Sequence, residues 1–177
     1  MEKASHHLPL VIMGSARKAG NTSRLVEQLF GKERVRVLNL ADYKVYHYNY
    51  SDIYPPDDTF QELVQELLAH AVLVFGTPIY WYSMSGHMKV FFDRLTDLIT
   101  TSKKQGRQLK GKKVFLIAVG ADKVLPEGFQ VPFRLTASYL DMDYVASLYC
   151  PLAALEASIP EEAKTFSKKV MSLAGEG

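Results

Sequence analysis

Short apolar runs alternate five times with stretches of helical periodicity along this chain of 177 residues. Each run is the length of a buried strand, and each following stretch places apolar side chains three and four residues apart. The runs are Leu8–Met13, Val35–Leu40, Ala71–Phe75, Val114–Val119 and Tyr144–Tyr149. This alternation predicts one α/β domain over residues 1–177, with a five-stranded parallel sheet and helices on both of its faces. Such a sheet binds its ligand outside the carboxyl ends of the strands.

The composition excludes several classes of protein. The formal net charge of +2 is too small for a nucleic-acid-binding protein, which usually has a concentrated basic face. The single cysteine, Cys150, excludes a disulfide framework and a cysteine metal cluster, and it is compatible with a reducing cytoplasm. No apolar stretch reaches the ~18 residues needed to cross a bilayer, and His6-His7 is more typical of a loose terminus than of a metal site. We therefore expect a cytoplasmic protein without a membrane span, a nucleic-acid partner or a metal.

A polar loop follows the first apolar run. Residues 15–23 join that strand to the start of a helix, where unpaired N–H groups and a partial positive charge favour an anion. The side-chain donors are Ser15, Arg17, Asn21, Thr22 and Ser23, and Gly20 lets the backbone turn close to the anion. This concentration of donors favours a phosphate site; the alternative is that Thr22 or Ser23 is a simple helix cap. The loop has neither the G-x-x-x-x-G-K-[ST] nor the G-x-G-x-x-G pattern of other nucleotide sites.

Three adjacent aromatic residues follow the third apolar run. The stretch 76–95 begins at the end of this run, crosses a turn-forming Thr77-Pro78 pair and reaches Tyr80-Trp81-Tyr82. Small residues come next, and then apolar residues at helical spacing from Met88 onward. Three adjacent aromatics in a turn are hard to explain as core packing alone. They favour the wall of a pocket for a flat ligand.

Together, the two loops resemble those of the flavodoxin-like NADPH-dependent FMN reductase and quinone reductase family. The residues that carry the resemblance are GSARKAGNTS at positions 14–23 and PIYWYSMSGHMKVFFDR at positions 78–94. The resemblance implies a flavodoxin-like, doubly wound sheet with strand order 2-1-3-4-5. It also implies non-covalently bound FMN, with NADPH or NADH as co-substrate. Some relatives carry a cysteine-rich iron–sulfur motif after the second strand, but positions 45–50 contain no cysteine, so no cluster is expected.

By position, the resemblance assigns residues to three FMN-binding loops. The phosphate loop contains Ser15, Arg17, Asn21, Thr22 and Ser23. The loop beside the flavin ring contains Pro78, Ile79, Tyr80, Trp81, Tyr82 and Ser83. The third loop is matched by position only, at Gly120, Ala121 and Asp122. Relatives often carry two adjacent glycines there, and this chain has one.

The implied function is an FMN-dependent NAD(P)H oxidoreductase that passes electrons from a nicotinamide through bound FMN to a small acceptor, such as a quinone, flavin, azo or nitro compound. The cofactor performs the redox chemistry in such enzymes, so no side chain is assigned as catalytic. The alternative is a flavodoxin-type electron carrier that docks to protein redox partners. Carriers of that type tend to be strongly acidic, so the net charge of +2 favours the enzyme. A third candidate is a flavin-free structural or regulatory domain.

Three further features have less specific interpretations. His87 either protonates a quinone product or, as a first-turn helix residue, faces solvent or a subunit. The basic run over residues 103–113 either attracts the phosphates of NADPH or is a solvated connector. The tyrosines of residues 43–54 cover the flavin, contact a subunit or belong to a partly buried loop. Because relatives commonly place the helix after the aromatic loop at an interface, we expect a homodimer or a homotetramer.

Overall fold

The computed structural model describes residues 8–31, 33–155 and 160–175, so the His6-His7 pair lies outside the described residues. The strands are β1 (Leu10–Met13), β2 (Arg36–Asn39), β3 (Val72–Tyr80), β4 (Ser83–Met84), β5 (Lys113–Gly120) and β6 (Asp143–Pro151). The helices are α1 (Asn21–Phe30), α2 (Phe60–Ala69), α3 (Gly86–Arg94), α4 (Lys103–Gly106), α5 (Val131–Tyr139) and α6 (Glu161–Ala174). Short 3-10 helices lie at Leu40–Asp42, Leu95–Leu98, Arg107–Leu109 and Leu152–Ala154.

Parallel strands form the sheet in the order β2-β1-β3-β5-β6. Counted among the parallel strands alone, this is the predicted order 2-1-3-4-5, which is therefore confirmed. The prediction of five strands was one short, because the two-residue strand β4 pairs antiparallel with the end of β3. This sixth strand lies inside the stretch that was expected to be an aromatic loop.

The central strands are buried on both faces, as parallel strands usually are. Along β1, Leu10 and Ile12 belong to one core and Val11 belongs to the other. The first core also contains apolar residues of α2, α3 and α5, and the second contains those of α1 and α6. Full burial of one large aliphatic or aromatic side chain contributes about 1.5–3 kcal/mol to stability. The two cores therefore fix which helices cover each face.

Strand β3 is longer than the sequence predicted, because it passes through Thr77-Pro78 instead of turning there. Pro78 lies opposite Val119 of β5, whereas β1 pairs with β3 only as far as Gly76. Pro78 is thus beyond the last β1 partner, where its missing N–H removes no ladder hydrogen bond on that side. The Thr77 hydroxyl donates to the carbonyl of Pro78 (2.9 Å) and accepts the N–H of Ser85 (3.1 Å), which ties the returning chain to β3.

The basic run lies at the opposite edge of the sheet from these loops. It precedes β5, whose eight residues span roughly 26 Å at about 3.3 Å per residue. Its Lys and Arg side chains up to Lys110 are exposed, in keeping with a solvated connector. Lys112 differs, because it is buried and its Nζ donates to the carbonyls of Leu68 (2.9 Å) and His70 (2.6 Å) at the end of α2. The run is therefore not part of the end of the sheet at which the strands have their carboxyl ends and at which the sequence predicts the ligand site.

Across the described ranges, no helix combines the length and the apolar content that a bilayer crossing requires.

Candidate functional site

Three loops meet at the carboxyl edge of the sheet, because they follow three neighbouring strands. β1 lies beside β3, with Met13 opposite Gly76, and β3 lies beside β5, with Pro78 opposite Val119. The phosphate-type loop follows β1, the aromatic stretch ends β3, and residues 120–122 end β5 and begin the loop after it. The strand order therefore brings all three segments to the carboxyl ends of the strands, at the same end of the sheet.

The first loop ends at an open helix start. Helix α1 begins at Asn21 with Gly20 as its N-cap, and no side chain in the part of the chain that the structure describes caps it. The alternative that Thr22 or Ser23 is the cap is therefore wrong. Ser15 instead shapes the loop, because its hydroxyl donates to the carbonyl of Arg17 (3.0 Å) and accepts the N–H of the same residue (3.2 Å). The N–H groups of the first turn remain available to an anion.

The five donors predicted for this loop differ in their access to solvent. Arg17 and Asn21 are exposed and Ser23 is half-buried. Thr22 is only 1% exposed, and its Cγ2 would lie 3.6 Å from a Cβ built on Gly76. The side chain of Thr22 therefore packs against β3, which leaves its backbone N–H as the group that can face an anion.

The aromatic triplet forms a tight hairpin. Tyr80 of β3 pairs with Ser83 of β4, and the two residues between them have positive φ angles, 49° at Trp81 and 63° at Tyr82. Two consecutive left-handed residues are typical of a type I′ turn, which normally contains Asn-Gly. A left-handed conformation costs roughly 1–2 kcal/mol at each residue other than glycine. Trp81 is nonetheless 94% exposed, so little burial of its ring offsets this strain.

Gly14, just before the first loop, lies in close contact with the start of α3. The Ser85 hydroxyl donates to the carbonyl of Gly14 (2.5 Å) and accepts the N–H of Met88 (3.3 Å) as the cap of α3. A Cβ built on Gly14 would lie 2.8 Å from Ser85 Oγ and 2.9 Å from Met88 Cβ. Only glycine therefore fits at position 14 without displacing α3.

Tyr149, at the end of β6, holds the third loop. Its hydroxyl donates to the carbonyl of Asp122 (2.6 Å) and would lie 3.0 Å from a Cβ built on Gly120. Burial, with smaller contributions from Asp122 and Cys150, raises the pKa of Tyr149, so the hydroxyl remains a donor. Ala121 is absent from the positive-φ residues of the described chain, so the backbone requires no second glycine there. Tyr149 was not among the predicted site residues, and its place at the end of the last predicted strand was the signal that could have pointed to it.

A cavity of about 410 Å³ lies beside the aromatic hairpin, and residues 120–122 are not part of its lining. It is lined by Ala16, Leu40, Tyr43, Val45, His47, Tyr80, Ser85, Gly86, His87, Val90 and Phe91. One wall is the start of α3, and the facing wall belongs to residues 43–58, which we call the strap. His87, for which the sequence offered either protonation of a quinone product or a position facing solvent or a subunit, is exposed and lines this cavity.

The strap is held by a buried arginine of α3. Arg94 is 2% exposed, and its guanidinium donates to Asp58 (Nη1 to Oδ2, 2.6 Å), Asp97 (Nε to Oδ2, 2.9 Å) and the carbonyl of Tyr46 (3.0 Å). The ring of Tyr54 covers the guanidinium carbon at 3.5 Å. Burial alone would raise the pKa of Asp58, but hydrogen bonds from Arg94 and from two backbone amides outweigh it and hold that pKa below its usual range. No sequence signal assigned a role to Arg94.

The residues at the carboxyl edge fit a ligand with a phosphate and a flat ring. The open start of α1 and the Arg17 side chain are donors suited to a phosphate. The Gly14 contact brings this loop close to α3, and the exposed aromatic hairpin stands beside it. Within the described ranges, no group of His, Cys, Asp and Glu side chains is arranged to hold a metal ion.

The sequence matches the family model described as NADPH-dependent FMN reductase over residues 9–172. It is 29% identical over 119 residues to a putative NAD(P)H-dependent FMN-containing oxidoreductase, YwqN, of Bacillus subtilis strain 168, covering 63% of this chain and 66% of that protein. It is 29% identical over 117 residues to an FMN-dependent NADH:quinone oxidoreductase of Burkholderia thailandensis, covering 62% of this chain and 59% of that protein. The matches thus span less than two thirds of the length of either relative.

Solved structures share the fold at low sequence identity. The Trp repressor binding protein from Bacillus subtilis superposes with a TM-score of 0.66 at 23% identity, covering 95% of this chain and 97% of that chain. A flavodoxin, WrbA-like protein from Agrobacterium tumefaciens superposes with a TM-score of 0.63 at 16% identity, covering 95% and 97%. At these identities the likeness shows the fold alone, which is flavodoxin-like.

Proposed function

The chain belongs to the NADPH-dependent FMN reductase family, and on that premise we propose that it is an FMN-dependent NAD(P)H oxidoreductase. In this reaction, electrons would pass from a nicotinamide through bound FMN to a small acceptor such as a quinone, flavin, azo or nitro compound. The observation that carries this proposal is the meeting of an open helix start, an exposed aromatic hairpin and a third loop after three neighbouring strands. The names of the relatives, an FMN-containing oxidoreductase and an NADH:quinone oxidoreductase, support it.

We assign the cofactor contacts to the three loops. The N–H groups at the start of α1, with Arg17, Asn21 and Ser23, would hold the phosphate, while Ser15 fixes the loop and Thr22 contributes its backbone N–H. The segment from Pro78 to Ser83 would stand beside the ring. Gly120, Ala121 and Asp122 would line the opposite side, with Tyr149 as the positioning residue behind them.

When bound, FMN supplies the redox chemistry, accepting a hydride from a nicotinamide and passing electrons onward. The side chains of this protein bind, orient and shield. Arg17 and the amides of α1 would neutralise the phosphate, and the hairpin would exclude water from one side of the ring. No side chain is required as a nucleophile.

An anaerobic reduction experiment tests this function. The purified protein is reconstituted with FMN, and excess NADPH or NADH is added in a sealed cuvette. The proposal predicts bleaching of the flavin absorption band within seconds to minutes, followed by its recovery when an acceptor is added. A bound flavin that neither nicotinamide bleaches would leave the electron-carrier alternative, and a protein that binds no FMN would leave the flavin-free one.

Replacement of Arg17 tests the phosphate assignment. Arg17→Ala should weaken FMN binding by roughly 1.5–3 kcal/mol, the scale of a hydrogen bond to a charged group. Quenching of FMN fluorescence during titration gives the affinity. Lys18→Ala is the matched control, because Lys18 is also exposed in this loop but its Nζ pairs with Asp42 at 2.5 Å. Equal affinities of wild type and Arg17→Ala would remove Arg17 from the site.

We also propose that the protein acts in the cytoplasm as a homodimer, with α3 and the hairpin at the subunit contact. The exposure of Tyr80 (53%), Trp81 (94%) and Tyr82 (68%) supports a further contact at this surface. Light scattering at micromolar protein concentration tests the state, and a mass of one chain contradicts it.

A further inference from the structure

We propose that a second cavity, at the opposite end of the sheet from the cofactor loops, binds a phosphate monoester that carries an apolar group. We call it the basic cavity, because three cations of the basic run, Lys103, Arg107 and Lys110, line it. Its volume of about 510 Å³ lies within the range of about 300–1,000 Å³ found for small-molecule sites. This inference goes beyond the proposed function and does not depend on it, because no residue assigned to FMN belongs to the lining.

The basic cavity lies where the chain enters strands β5 and β6. Lys110 shortly precedes β5 and Asp141 shortly precedes β6, and both belong to the lining. The N–H of Gly111 donates to the carbonyl of Asp141 (2.8 Å), which joins the two approaches to the sheet. The third cofactor loop begins at the other end of β5, about 26 Å away. A ligand in the basic cavity therefore does not touch a flavin held by the cofactor loops.

The three cations share one side of a helical segment. Lys103, Arg107 and Lys110 are four and three residues apart along α4 and the 3-10 helix that follows it, and all three are exposed. Within the described ranges none of them forms an ion pair, whereas Lys113, just after the run, pairs with Asp143 (Nζ to Oδ2, 2.5 Å). Like charges at this spacing destabilise a helix. An anion bound between them would relieve this repulsion.

Close packing fixes the segment that carries these cations. A Cβ built on Gly106 would lie 2.1 Å from the carbonyl oxygen of Leu98, so only glycine allows the two backbones to approach this closely. Leu109 is buried in the core, and the N–H of Ser102 donates to the carbonyl of Asp97 (2.7 Å). The backbone from which the cations extend therefore has a defined position beside the cavity.

The rest of the lining is mainly apolar. The buried side chains of Leu98 and Leu140 contribute to it, together with two more exposed ones, Ile99 (36%) and Tyr139 (73%). Exposed apolar side chains that lie together often mark a binding site. A ligand that fills the basic cavity should therefore carry an apolar group beside its anionic one.

The charges of the lining favour a phosphate monoester among organic anions. Three cations and one carboxylate, that of Asp141, leave a surplus of two positive charges. A phosphate monoester carries a charge of about −1.5 to −2 at pH 7, whereas a carboxylate or sulfonate carries a single charge. The forked donors of the Arg107 guanidinium also suit a phosphate.

Calorimetric titration with 1-naphthyl phosphate tests the site. The protein is first loaded with FMN and freed of excess FMN, so that the cofactor site is filled and no free phosphate ester competes. Inorganic phosphate lacks the apolar group, and 1-naphthol lacks the phosphate. We expect 1-naphthyl phosphate to bind at least about tenfold more tightly than either. Inorganic phosphate or 1-naphthol binding as tightly as the ester would overturn the proposal.

Three variants locate the binding in the basic cavity. Arg107→Gln removes the forked donor and should weaken 1-naphthyl phosphate binding about tenfold. Lys104→Gln is the matched control, because Lys104 is exposed in the same run but is not part of the lining, and it should change the affinity less than about twofold. Asp141→Asn removes the carboxylate at a φ angle of 56° that asparagine tolerates, and it should strengthen binding several-fold.

Two outcomes of this series would contradict the site. Equal losses in Arg107→Gln and Lys104→Gln would show a general attraction to the basic run without a defined cavity. An affinity that Asp141→Asn leaves unchanged would show that the phosphate binds elsewhere. None of these titrations requires flavin reduction, so a failure of the reductase proposal leaves their reading intact.

Vesicles distinguish two sources of the same chemistry, since phosphatidic acid presents a phosphate monoester on a bilayer. Sedimentation of the protein with vesicles of phosphatidylcholine and phosphatidic acid, lost in Arg107→Gln and kept in Lys104→Gln, would identify a lipid as the ligand. Tight binding of 1-naphthyl phosphate without sedimentation would identify a soluble ester. Binding of neither would overturn the proposal.

Discussion

The strap and the aromatic hairpin flank the same cavity, yet opposite physical means hold them in place. The strap has no regular structure and is fixed by contacts with residues far along the chain, from Arg94 to Tyr46 and Asp58. The hairpin is fixed locally, by the pairing of β3 with β4 and by the Thr77 hydroxyl. The charged side chains that hold the strap are buried. In the hairpin, by contrast, Trp81 and Tyr82 have left-handed backbone conformations and exposed side chains.

This difference indicates that the strap contributes mainly to the stability of the fold, whereas the hairpin contributes mainly to ligand binding. A buried ion network that satisfies every partner is costly to break, so the strap belongs to the stable part of the fold. A strained and exposed hairpin contributes little to stability, and strain of this kind clusters at binding sites. The strap should therefore respond to substitution with a loss of stability, and the hairpin with a loss of binding.

The largest expected effect is that of Arg94→Met on the strap. The substitution leaves Asp58 and Asp97 buried without their counter-charge, so the free energy of unfolding should fall by about 3–5 kcal/mol. Urea denaturation followed by circular dichroism measures this change. Lys89→Met on the same helix is the control, because its exposed pair with Asp93 should contribute less than about 1 kcal/mol. Similar small losses in both variants would show that the strap is not held by Arg94.

A change of the opposite sign is expected in the hairpin. The double variant Trp81→Asn, Tyr82→Gly places the preferred residues in a type I′ turn and should raise the free energy of unfolding by about 1 kcal/mol. It also removes two aromatic rings from the site, so FMN binding should weaken by about 1 kcal/mol or more. Thermal unfolding and FMN titration measure the two effects.

Tyr50→Asn in the strap is the control for the hairpin variant. Tyr50 is as exposed as Trp81, at 94%, but it is not among the residues with positive φ, so relief of strain is not expected. A hairpin variant that is less stable than wild type would show that the rings of Trp81 and Tyr82 stabilise the fold.

The sequence predicted the parts of this molecule that depend on local patterns. The apolar run of β1 and the helical spacing of α2 or α6 can be recognised from neighbouring residues alone, and the strand order came from a family resemblance carried by two loops. The hairpin was misread because Pro78 looks like a turn residue, and only the end of β1 opposite Gly76 explains why a strand tolerates it.

The strap network could not be predicted for a different reason. Arg94 and Asp58 are 36 residues apart, and Asp58 resembles an ordinary acidic residue before a helix. A buried arginine and an exposed one are identical in sequence, since the difference lies in what packs over the guanidinium. Tyr149 and Asp122 are similarly joined over 27 residues. Contacts of this kind follow from the fold, and the sequence carries no local pattern for them.

The smallest expected effect, and the finest test of the comparison, is the response of the strap to acid. The folded pKa of Asp58 lies below the ordinary aspartate value of about 3.9, so its ionised form contributes stability that is fully present above that value. This stability is lost as the pH falls through the folded pKa.

Urea denaturation between about pH 6 and about pH 2.5 should show this loss of stability in the wild type. Asp58→Asn should reduce the loss, because the titrating carboxylate is gone. Asp52→Asn, an exposed strap residue at φ 55° that asparagine tolerates, should leave the profile unchanged. The hairpin itself contains no carboxylate, so the acid-induced loss of stability should depend on the strap residues alone. A loss that changes when FMN binds, but not when Asp58 is replaced, would contradict the conclusion that the strap serves stability and the hairpin serves binding.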